Sequence, residues 1–279
     1  MGRVNRKVVL ITGASSGIGK ALANILMEKG YKVYGTSRKQ PTGNGGGNTL
    51  QPDANGGFIK MIQLDVCSGD SVKEAVEFIV EQEGCIDVLI NNAGFGIAGS
   101  VEDTSEEEAY QQFNTNFFGV HRMCRQVLPI MREQGSGLIV NVSSVAGLIS
   151  IPFQSMYSAS KYALEALSEA MRIEVKPFGV NVVLVEPGDT KTGFTDSRQF
   201  VNAGSDSVYS KKFKKSINTM IKDEVNGPSP ESVAKVIARV VEMKNPPVRV
   251  VAGLQYKVVV LLKRLLPSRF VEYVLSKLY

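Results

Sequence analysis

A glycine-rich turn lies between an apolar run and a helix-like segment near the start of the chain. The turn is Thr12–Gly19, with the sequence TGASSGIG, and the helix-like segment is Ile18–Lys29. Gly13 permits a tight turn, while Gly17 and Gly19 let the backbone approach a phosphate and the helix approach a sheet. The start of the helix would hold a pyrophosphate. The spacing G-x-x-x-G-x-G differs from the usual G-x-G-x-x-G, so the turn alone is a weak signal.

Strand and helix patterns alternate along nearly the whole chain. With 279 residues, 43% of them hydrophobic and 21% charged, the chain suits one large domain or two small ones. The alternation favours a single α/β domain over residues 1–279, with a doubly wound parallel sheet of about seven strands and helices on both faces. The predicted strands are Lys7–Ile11, Tyr31–Ser37, Phe58–Leu64, Val88–Ile90, Leu138–Val142, Val180–Val185 and Pro247–Ala252. Residues 41–57, rich in Gly, Asn and Pro, predict a flexible loop.

Three polar side chains between residues 144 and 161 have a spacing that chemistry can use. Tyr157 and Lys161 lie four apart on a predicted helix, Gln154–Lys176, and therefore share one face. Ser144 follows a predicted strand, at the sheet edge where ligands bind in open α/β folds. A lysine ammonium one turn away would lower the tyrosine pKa, so that the phenol exchanges a proton with an alcohol. The alternative is a surface Tyr and Lys with no shared role.

Further motifs lie in register with these residues. In chain order they are TGASSGIG, Asn91-Asn92-Ala93-Gly94, Asn116 within NTNFFG, Ser144, Tyr157-x-x-x-Lys161 and Pro187-Gly188. In order and spacing the chain resembles the short-chain dehydrogenase/reductase family, strongly over residues 5–195. The run from Gly99 to Phe194 is most similar to the 17-beta-hydroxysteroid and retinol dehydrogenase branch. The resemblance implies a Rossmann-type fold and a homodimer or homotetramer, paired through the helices that carry Asn116 and Tyr157.

The resemblance also implies catalytic roles for four residues. Tyr157 would donate the proton in reduction, and Lys161 would lower the Tyr157 pKa and bind the cofactor ribose. Ser144 would polarise the substrate carbonyl. Asn116 would order a water beside Lys161 and complete a proton path; the alternative is an ordinary helix-interior asparagine.

The end of the second predicted strand indicates the cofactor. NAD-binding folds place an acid there for the ribose 2′-hydroxyl, whereas this chain has Ser37, Arg38 and Lys39. Two cations and no carboxylate favour NADP(H), because an arginine can form a charge-assisted fork to the 2′-phosphate. A solvated Arg38 is the alternative. The full predicted cofactor set is Gly13, Ser15, Ser16, Gly17, Ile18, Gly19, Ser37, Arg38, Lys39, Asp65, Val66, Asn92, Ala93, Gly94, Tyr157, Lys161, Pro187, Gly188, Thr190 and Thr192.

Two segments bear on the substrate. Residues 193–228 would form a substrate lid by family resemblance, and the stretch after Ser144 is apolar from Leu148 to Phe153. Both favour a lipophilic alcohol or ketone of the steroid, retinoid or long-chain type. The alternatives are a reductase of 3-oxoacyl groups on a carrier or of other small carbonyls, and a non-catalytic NADP-sensing protein. Such sensors usually lose the Tyr or the Lys, and this chain keeps both.

The C-terminal extension, residues 256–279, is apolar but contains Lys263, Arg264 and an interrupting Pro267. It is too short and too charged to span a membrane. We expect either a helix pair packed on the body or on a second subunit, or an amphipathic segment at a membrane surface.

Composition excludes several functions. The net charge is +5 without a Lys/Arg block, which argues against nucleic-acid binding. The three cysteines lack metal or redox spacing, and the single His121 rules out a histidine-based metal cluster. Without a signal-peptide pattern, we expect a cytoplasmic protein with free thiols, and peripheral contact with a membrane is the alternative.

Two serine–glutamate pairs have the spacing of a helix capping box. They are Ser71 with Glu74 and Ser105 with Glu108. Each predicts a helix that begins just after its serine.

Overall fold

The computed structural model describes residues 7–39, 55–201 and 207–279. Its strands are β1 Val8–Ile11, β2 Lys32–Ser37, β3 Phe58–Gln63, β4 Val88–Asn91, β5 Ile97–Ala98, β6 Gly137–Val142, β7 Val180–Pro187, β8 Gln199–Phe200 and β9 Arg249–Ala252. Seven of them form one parallel sheet in the order β3-β2-β1-β4-β6-β7-β9. The sequence prediction of a doubly wound, Rossmann-type sheet of about seven strands is confirmed.

The connections between strands are mostly helical. The helices are α1 Gly17–Glu28, α2 Gly69–Glu83, α3 Glu106–Phe113, α4 Gly119–Gln134, α5 Ser155–Val175, α6 Phe194–Ser197, α7 Ser210–Val225, α8 Pro230–Glu242, α9 Leu254–Leu265 and α10 Ser268–Leu278. A π-helical turn, Asn114–Phe118, joins α3 to α4, and short 3₁₀ turns follow β6 and α5. Most of the predicted boundaries of regular elements agree within two residues.

The sheet reverses its direction of growth between β1 and β4. The chain moves outward from β1 through β2 to β3, then returns so that β4 pairs with the other side of β1. Loops leave the carboxyl ends of β1 and β4 toward opposite sides and open a crevice between them. In doubly wound folds this crevice is the ligand site.

The sheet is buried on both faces, which explains why its strands read as continuous apolar runs. Helices α1 and α8 cover one face, and α2, α4 and α5 cover the other. The residues buried between sheet and helices on the two faces include Ile11, Leu26 and Ile237, and Leu10, Met123 and Leu164. These two layers hold the carboxyl edge of the sheet rigidly.

A second, two-stranded sheet was not predicted. Strand β5 pairs with β8, so the start of the 193–228 segment is tied to the loop after β4. A Cβ on Gly99 would lie 2.2 Å from Val201, which shows how closely the two segments approach. The described parts of the predicted lid are α6, β8 and α7. Residues 202–206 of the lid and residues 41–54 of the predicted 41–57 loop lie outside the described residues.

The C-terminal extension forms the helix pair α9 and α10. Val260 is buried in α9, whereas the residues of α10 are exposed or half-buried. Within the described residues, none of the helices combines the length and the apolar character that crossing a bilayer requires.

One of the two predicted capping boxes forms. Ser105 and Glu108 exchange side-chain and backbone hydrogen bonds at the start of α3, as predicted. The Ser71–Glu74 box is wrong, because α2 begins earlier, with Ser68 as its N-cap. The Ser68 hydroxyl accepts a hydrogen bond from the Ser71 amide at 3.2 Å, and the Ser71 hydroxyl accepts one from the Asp65 amide at 3.0 Å.

Candidate active site

The glycine-rich turn sits against the switch point of the sheet. Gly13 and Gly17 have positive φ angles of 67° and 54°. A Cβ on Gly19 would lie 2.3 Å from the Gly13 carbonyl oxygen, so only glycine fits under the turn. The turn is therefore shaped to bring backbone close to whatever lies above it.

Side chains from the β4 loop brace this turn from behind. The Asn92 side-chain amide donates to the carbonyl oxygens of Thr12 and Gly13, both at 3.0 Å. The Thr12 hydroxyl accepts from the amides of Asn92 and Ala93, at 2.9 and 3.0 Å. The predicted Asn92-Ala93-Gly94 motif thus fixes the glycine-rich turn to the end of β4.

The N-terminus of α1 is suited to an anion. Ser16 is its N-cap but makes no side-chain capping bond, and the first turn carries no acid. The first-turn amides and the helix dipole therefore favour a negative group at this end.

The end of β2 presents its two predicted cations differently. Ser37 donates its hydroxyl hydrogen to the Lys39 carbonyl at 2.8 Å, and Gln63 donates to the Arg38 carbonyl at 3.1 Å. These bonds fix the backbone of the strand end. Both side chains are exposed, but Arg38 lines the crevice and Lys39 does not.

Tyr157 and Lys161 share one face of α5, as the spacing predicts. Both are buried, and the Lys161 ammonium lies 5.9 Å from the centroid of the Tyr157 ring. The Lys161 Nζ donates to the Val142 carbonyl at 2.8 Å, which ties α5 to the end of β6. Ser144 lies two residues beyond β6, and its hydroxyl accepts from the Ala146 amide at 3.1 Å. All three side chains meet at the carboxyl edge of the sheet.

The electrostatics of the tyrosine differ from the sequence prediction. Burial raises the pKa of Tyr157 to about 12, although a hydrogen bond with Ser144 acts in the opposite direction. Burial also lowers the pKa of Lys161 to about 8. The net shift of the Tyr157 pKa is therefore upward and not downward as predicted, because removal of the phenolate from water outweighs the hydrogen bond with Ser144.

Asn116 lies in the π-helical turn and is buried. Its side chain accepts from the Phe95 amide at 3.2 Å and donates to the Phe95 carbonyl at 3.0 Å. It also donates to the Ser160 hydroxyl at 3.3 Å, which in turn donates to the Tyr157 carbonyl at 2.7 Å. The wide π turn, a feature that often marks functional sites, turns this side chain toward α5.

One cavity of about 790 Å³ joins these features. Nearly every predicted site residue lines it; among the described residues the exceptions are Gly19, Lys39 and Asn116. Gly19 and Asn116 lie behind the wall as supports. The members from the β3 end and the β7 turn that line it are Asp65, Val66, Pro187, Gly188, Thr190 and Thr192.

Residues outside the predicted catalytic and cofactor-binding sets also shape the site. The Phe194 ring lies 5.5 Å from the Tyr157 ring, and Tyr256 packs so tightly on Gly188 that a Cβ there would clash at 2.2 Å. The C-terminal helices also contribute Val259, Leu275, Leu278 and Tyr279 to the cavity wall. The apolar pattern of these two helices is visible in the sequence. The sequence does not indicate that they pack beside Tyr157, which lies about a hundred residues earlier in the chain.

A buried ion pair lies beside the cavity, within the described part of the predicted lid. Arg198 pairs with Glu224, and the Thr195 hydroxyl donates to Glu224 at 2.6 Å. Because these residues come from α6, the segment after it and α7, the pair fastens together the described parts of the predicted lid.

A doubly wound sheet with a glycine turn at its switch point defines a nucleotide-binding α/β protein, and the Tyr157–Lys161 pair beside the turn adds a site for proton transfer. A family model described as short chain dehydrogenase matches residues 7–201, and the chain belongs to this family of oxidoreductases, which use nicotinamide cofactors.

Two curated relatives span nearly the same length. The chain is 45% identical over 275 residues to 3-ketodihydrosphingosine reductase of Bacteroides thetaiotaomicron, covering 98% of both chains. It is 36% identical over 273 residues to retinol dehydrogenase 8 of Bos taurus, covering 94% of this chain and 86% of that protein. The second likeness supports the predicted resemblance to the retinol dehydrogenase branch.

A solved structure agrees with the fold. A short chain dehydrogenase/reductase from Burkholderia phymatum, in complex with NAD, superposes with a TM-score of 0.78 at 25% identity, covering 94% of each chain. The family and the fold are thus established by sequence and by shape.

Proposed function

We propose that this protein is an NADP(H)-dependent reductase that interconverts a long-chain ketone and its alcohol, with 3-ketodihydrosphingosine as the type of substrate. The observation that carries the proposal is the continuous cavity, which passes from Arg38 at the β2 end, along the glycine turn and Tyr157, to the apolar residues of α9 and α10. A nucleotide and a lipophilic substrate could meet within it.

The substrate end of the cavity favours an alkyl chain. Ile149 and Ile151 face it from the loop after β6, and Val259, Leu275 and Leu278 face it from the C-terminal helices. Burial of apolar surface stabilises a bound ligand by about 25 cal/mol per Å². A chain of many methylene groups therefore gains more from this wall than a small ketone does.

The relative with 45% identity supports the same class of substrate. It matches this chain over 98% of both lengths, so the α9–α10 region is included in the likeness. Its name identifies a ketone on a long-chain amino alcohol, which agrees with an apolar wall close to a proton-donating tyrosine.

The glycine turn suits a dinucleotide, because Gly13 and Gly17 line the cavity and the first turn of α1 carries no acid. Gly13, Gly17 and the α1 N-terminus would hold the pyrophosphate, and Lys161 the ribose. When bound, the nicotinamide supplies the hydride for the carbonyl carbon. The remaining groups would be held by Ser15, Ser16, Ile18, Ser37, Asp65, Val66, Ala93, Gly94, Pro187, Gly188, Thr190 and Thr192.

Tyr157 supplies the proton, and the side chains near it assist. With a pKa of about 12, Tyr157 is protonated at neutral pH and can donate its phenolic hydrogen to the carbonyl oxygen. The Ser144 hydroxyl polarises that carbonyl by hydrogen bonding. The Lys161 ammonium then lies beside the resulting phenolate and stabilises its negative charge. Asn116 bonds to the Phe95 backbone and to Ser160 of α5, and so supports the part of the cavity wall through which the proton on Tyr157 would be replaced.

The preference for NADP(H) rests on Arg38. It lines the cavity at the end of β2, where a carboxylate would repel a 2′-phosphate. Ser37 lies beside it, so a phosphate there would meet a cation and a hydroxyl.

A second candidate is a retinoid substrate, favoured by the 36% identity to retinol dehydrogenase 8. The apolar wall suits either ligand. Carrier-linked 3-oxoacyl groups are the remaining alternative from the sequence analysis.

The test compares kcat/KM with NADPH for four carbonyl substrates: 3-ketodihydrosphingosine, all-trans-retinal, a 3-oxoacyl group on a carrier, and a short water-soluble ketone. We expect the long-chain ketone to be preferred over the short one by at least roughly a hundred-fold, since several buried methylene groups contribute about 0.8 kcal/mol each. Preference for retinal would select the second candidate, and preference for the carrier-linked or short ketone would reject the apolar-wall argument.

We also propose that residues 1–279 form one domain and that two or four copies associate through α4 and α5. Phe118 and Ile173, beside and within these helices, are exposed large apolar residues. Such surface is expected at a subunit interface.

A further inference from the structure

Helix α9 carries its apolar side chains on the outside of the molecule. Five of them lie within about 100° of its circumference by helical geometry, and each is between 46% and 79% exposed; they are Leu254, Val258, Leu261, Leu262 and Leu265. The opposite side holds Val260, which is buried. This is the reverse of an ordinary surface helix, whose apolar stripe faces the core.

The same region is basic. Residues 254–279 contain one acidic side chain, Glu272, and the exposed cations Lys257, Lys263, Arg264, Arg269 and Lys277. In α10, Phe270 and Tyr273 are 50% and 60% exposed. The Lys277 ammonium lies 5.6 Å from the Tyr273 ring. Exposed leucines, aromatic rings and cations on one short segment form the pattern of an interfacial helix.

The α9–α10 surface, defined by these apolar and basic residues, is continuous with the catalytic cavity. Val259 and Leu278 line the cavity and are also 44% and 55% exposed. Leu275 and Tyr279 line it from the same helices. The two helices thus line the cavity on one side and expose apolar side chains on the other.

We propose that the α9–α10 surface docks on an anionic lipid bilayer, from which the long-chain substrate passes between α9 and α10 into the cavity. The docking stands on the surface itself, whereas the route for the substrate rests on the proposed function. Cations beside the leucines would meet lipid phosphates, and the leucines would enter the acyl region.

A second copy of the chain fits this surface less well. A symmetric interface would place the same basic residues of two copies close together, and like charges in contact are unfavourable. A bilayer with anionic lipids complements both the charge and the apolar stripe. The absence, among the described residues, of a helix fit to cross a membrane agrees with docking at the surface.

The first test measures co-sedimentation of the full chain with vesicles of phosphatidylcholine alone or mixed with phosphatidylglycerol. We expect strong binding to the mixed vesicles and at least roughly a hundred-fold weaker binding for the double variant Leu261→Asp/Leu265→Asp, because two acids replace two inserted leucines. The matched control, Val101→Asp/Met243→Asp, adds the same charges at exposed apolar positions on the body and should bind like wild type.

A charge variant separates the two contributions. Lys257→Gln/Arg269→Gln should weaken binding to the anionic vesicles by roughly five-fold per cation removed, and should leave binding to neutral vesicles unchanged. An equal loss on both kinds of vesicle would contradict the role of charge.

Two results would overturn the docking. One is wild-type protein that stays in the supernatant with anionic vesicles. The other is a change of oligomeric state in Leu261→Asp/Leu265→Asp by analytical ultracentrifugation, which would make the surface a subunit interface. If the protein reduces the long-chain ketone in detergent but does not bind vesicles, the docking is rejected and the proposed function stands. If it binds vesicles but does not reduce that ketone, the docking stands and the proposed function is rejected.

Discussion

At the scale of single residues, burial and position in the fold decide what the side chains of the candidate site can do. The spacing of Tyr157 and Lys161 places both on one face of α5, and the structure agrees. Their pKa values depend on burial, which comes from chain segments far away in sequence, so the direction of the Tyr157 shift was missed. Arg38 and Lys39 are equivalent in the sequence, and only the structure separates one that lines the cavity from one that does not.

That separation predicts a difference between two alanine variants. Arg38→Ala should raise KM for NADPH by roughly ten-fold or more and change KM for NADH little, because a charge-assisted contact to the 2′-phosphate is worth about 1.5–3 kcal/mol. Lys39→Ala is the matched control and should change neither constant more than about two-fold. Steady-state kinetics with both cofactors decides. Equal use of NADH and NADPH by the wild type would contradict the assignment.

A second residue-scale prediction concerns three glutamates around Arg249. The Arg249 guanidinium lies 3.5 Å from the Glu165 carboxylate and 3.6 Å from the Glu186 carboxylate, and it also pairs with Glu169. Glu165 lies one helical turn beyond Lys161 on α5. Burial, with Glu165 beside it, raises the pKa of Glu186 from an ordinary 4.5 to about 8. The folded state then binds more protons than the unfolded state between these two pH values, so stability falls as the pH rises through that interval.

Glu186→Gln should therefore flatten the pH dependence of the urea midpoint between about pH 5 and 8, since the amide resembles the protonated acid. Glu169→Gln, at a half-exposed partner of the same arginine, should leave the slope as in wild type. Parallel slopes for wild type and Glu186→Gln would show that Glu186 is ionised throughout this range.

At the scale of elements, the regular parts of the fold were predictable because each is encoded locally. Buried parallel strands read as apolar runs, and the glycine turn marks β1 and α1. The β5–β8 pair was missed because two-residue strands carry no periodicity, and the π turn because Asn114–Phe118 has no sequence signature of its own. The start of α2 was misplaced because Ser68 and Ser71 compete as caps, and only packing selects one.

The close packing of the start of α1 under the glycine turn predicts a large cost for one methyl group. Gly19→Ala would place Cβ 2.3 Å from the Gly13 carbonyl oxygen and 2.6 Å from the Asn92 amide nitrogen. We expect roughly 2–4 kcal/mol of lost stability, measured by urea unfolding, since backbone must move. Gly69→Ala, at the start of α2 with nothing within 4 Å, is the control and should lose none. Equal stability of the two variants would contradict this account of the turn.

At the scale of the whole molecule, the candidate site is an assembly of distant segments. The sequence predicted the members that carry family motifs, but not that α9 and α10, at the end of the chain, would wall the same cavity as Tyr157. Their apolar residues were equally compatible with a membrane surface, a subunit interface or the core. Only the three-dimensional packing identifies the partner, because an apolar pattern in the sequence shows which side chains avoid water but not which surface covers them.

The proposed reaction depends on proton donation from Tyr157 to a long-chain ketone held against α9 and α10. The most direct test is a single-turnover reaction of 3-ketodihydrosphingosine with NADPH, followed by mass spectrometry of the alcohol, for wild type and Tyr157→Phe. We expect alcohol from the wild type and a rate at least roughly a hundred-fold lower for Tyr157→Phe, with NADPH affinity unchanged within a few-fold by fluorescence titration. Near-normal turnover by Tyr157→Phe, with its NADPH binding intact, would contradict the account.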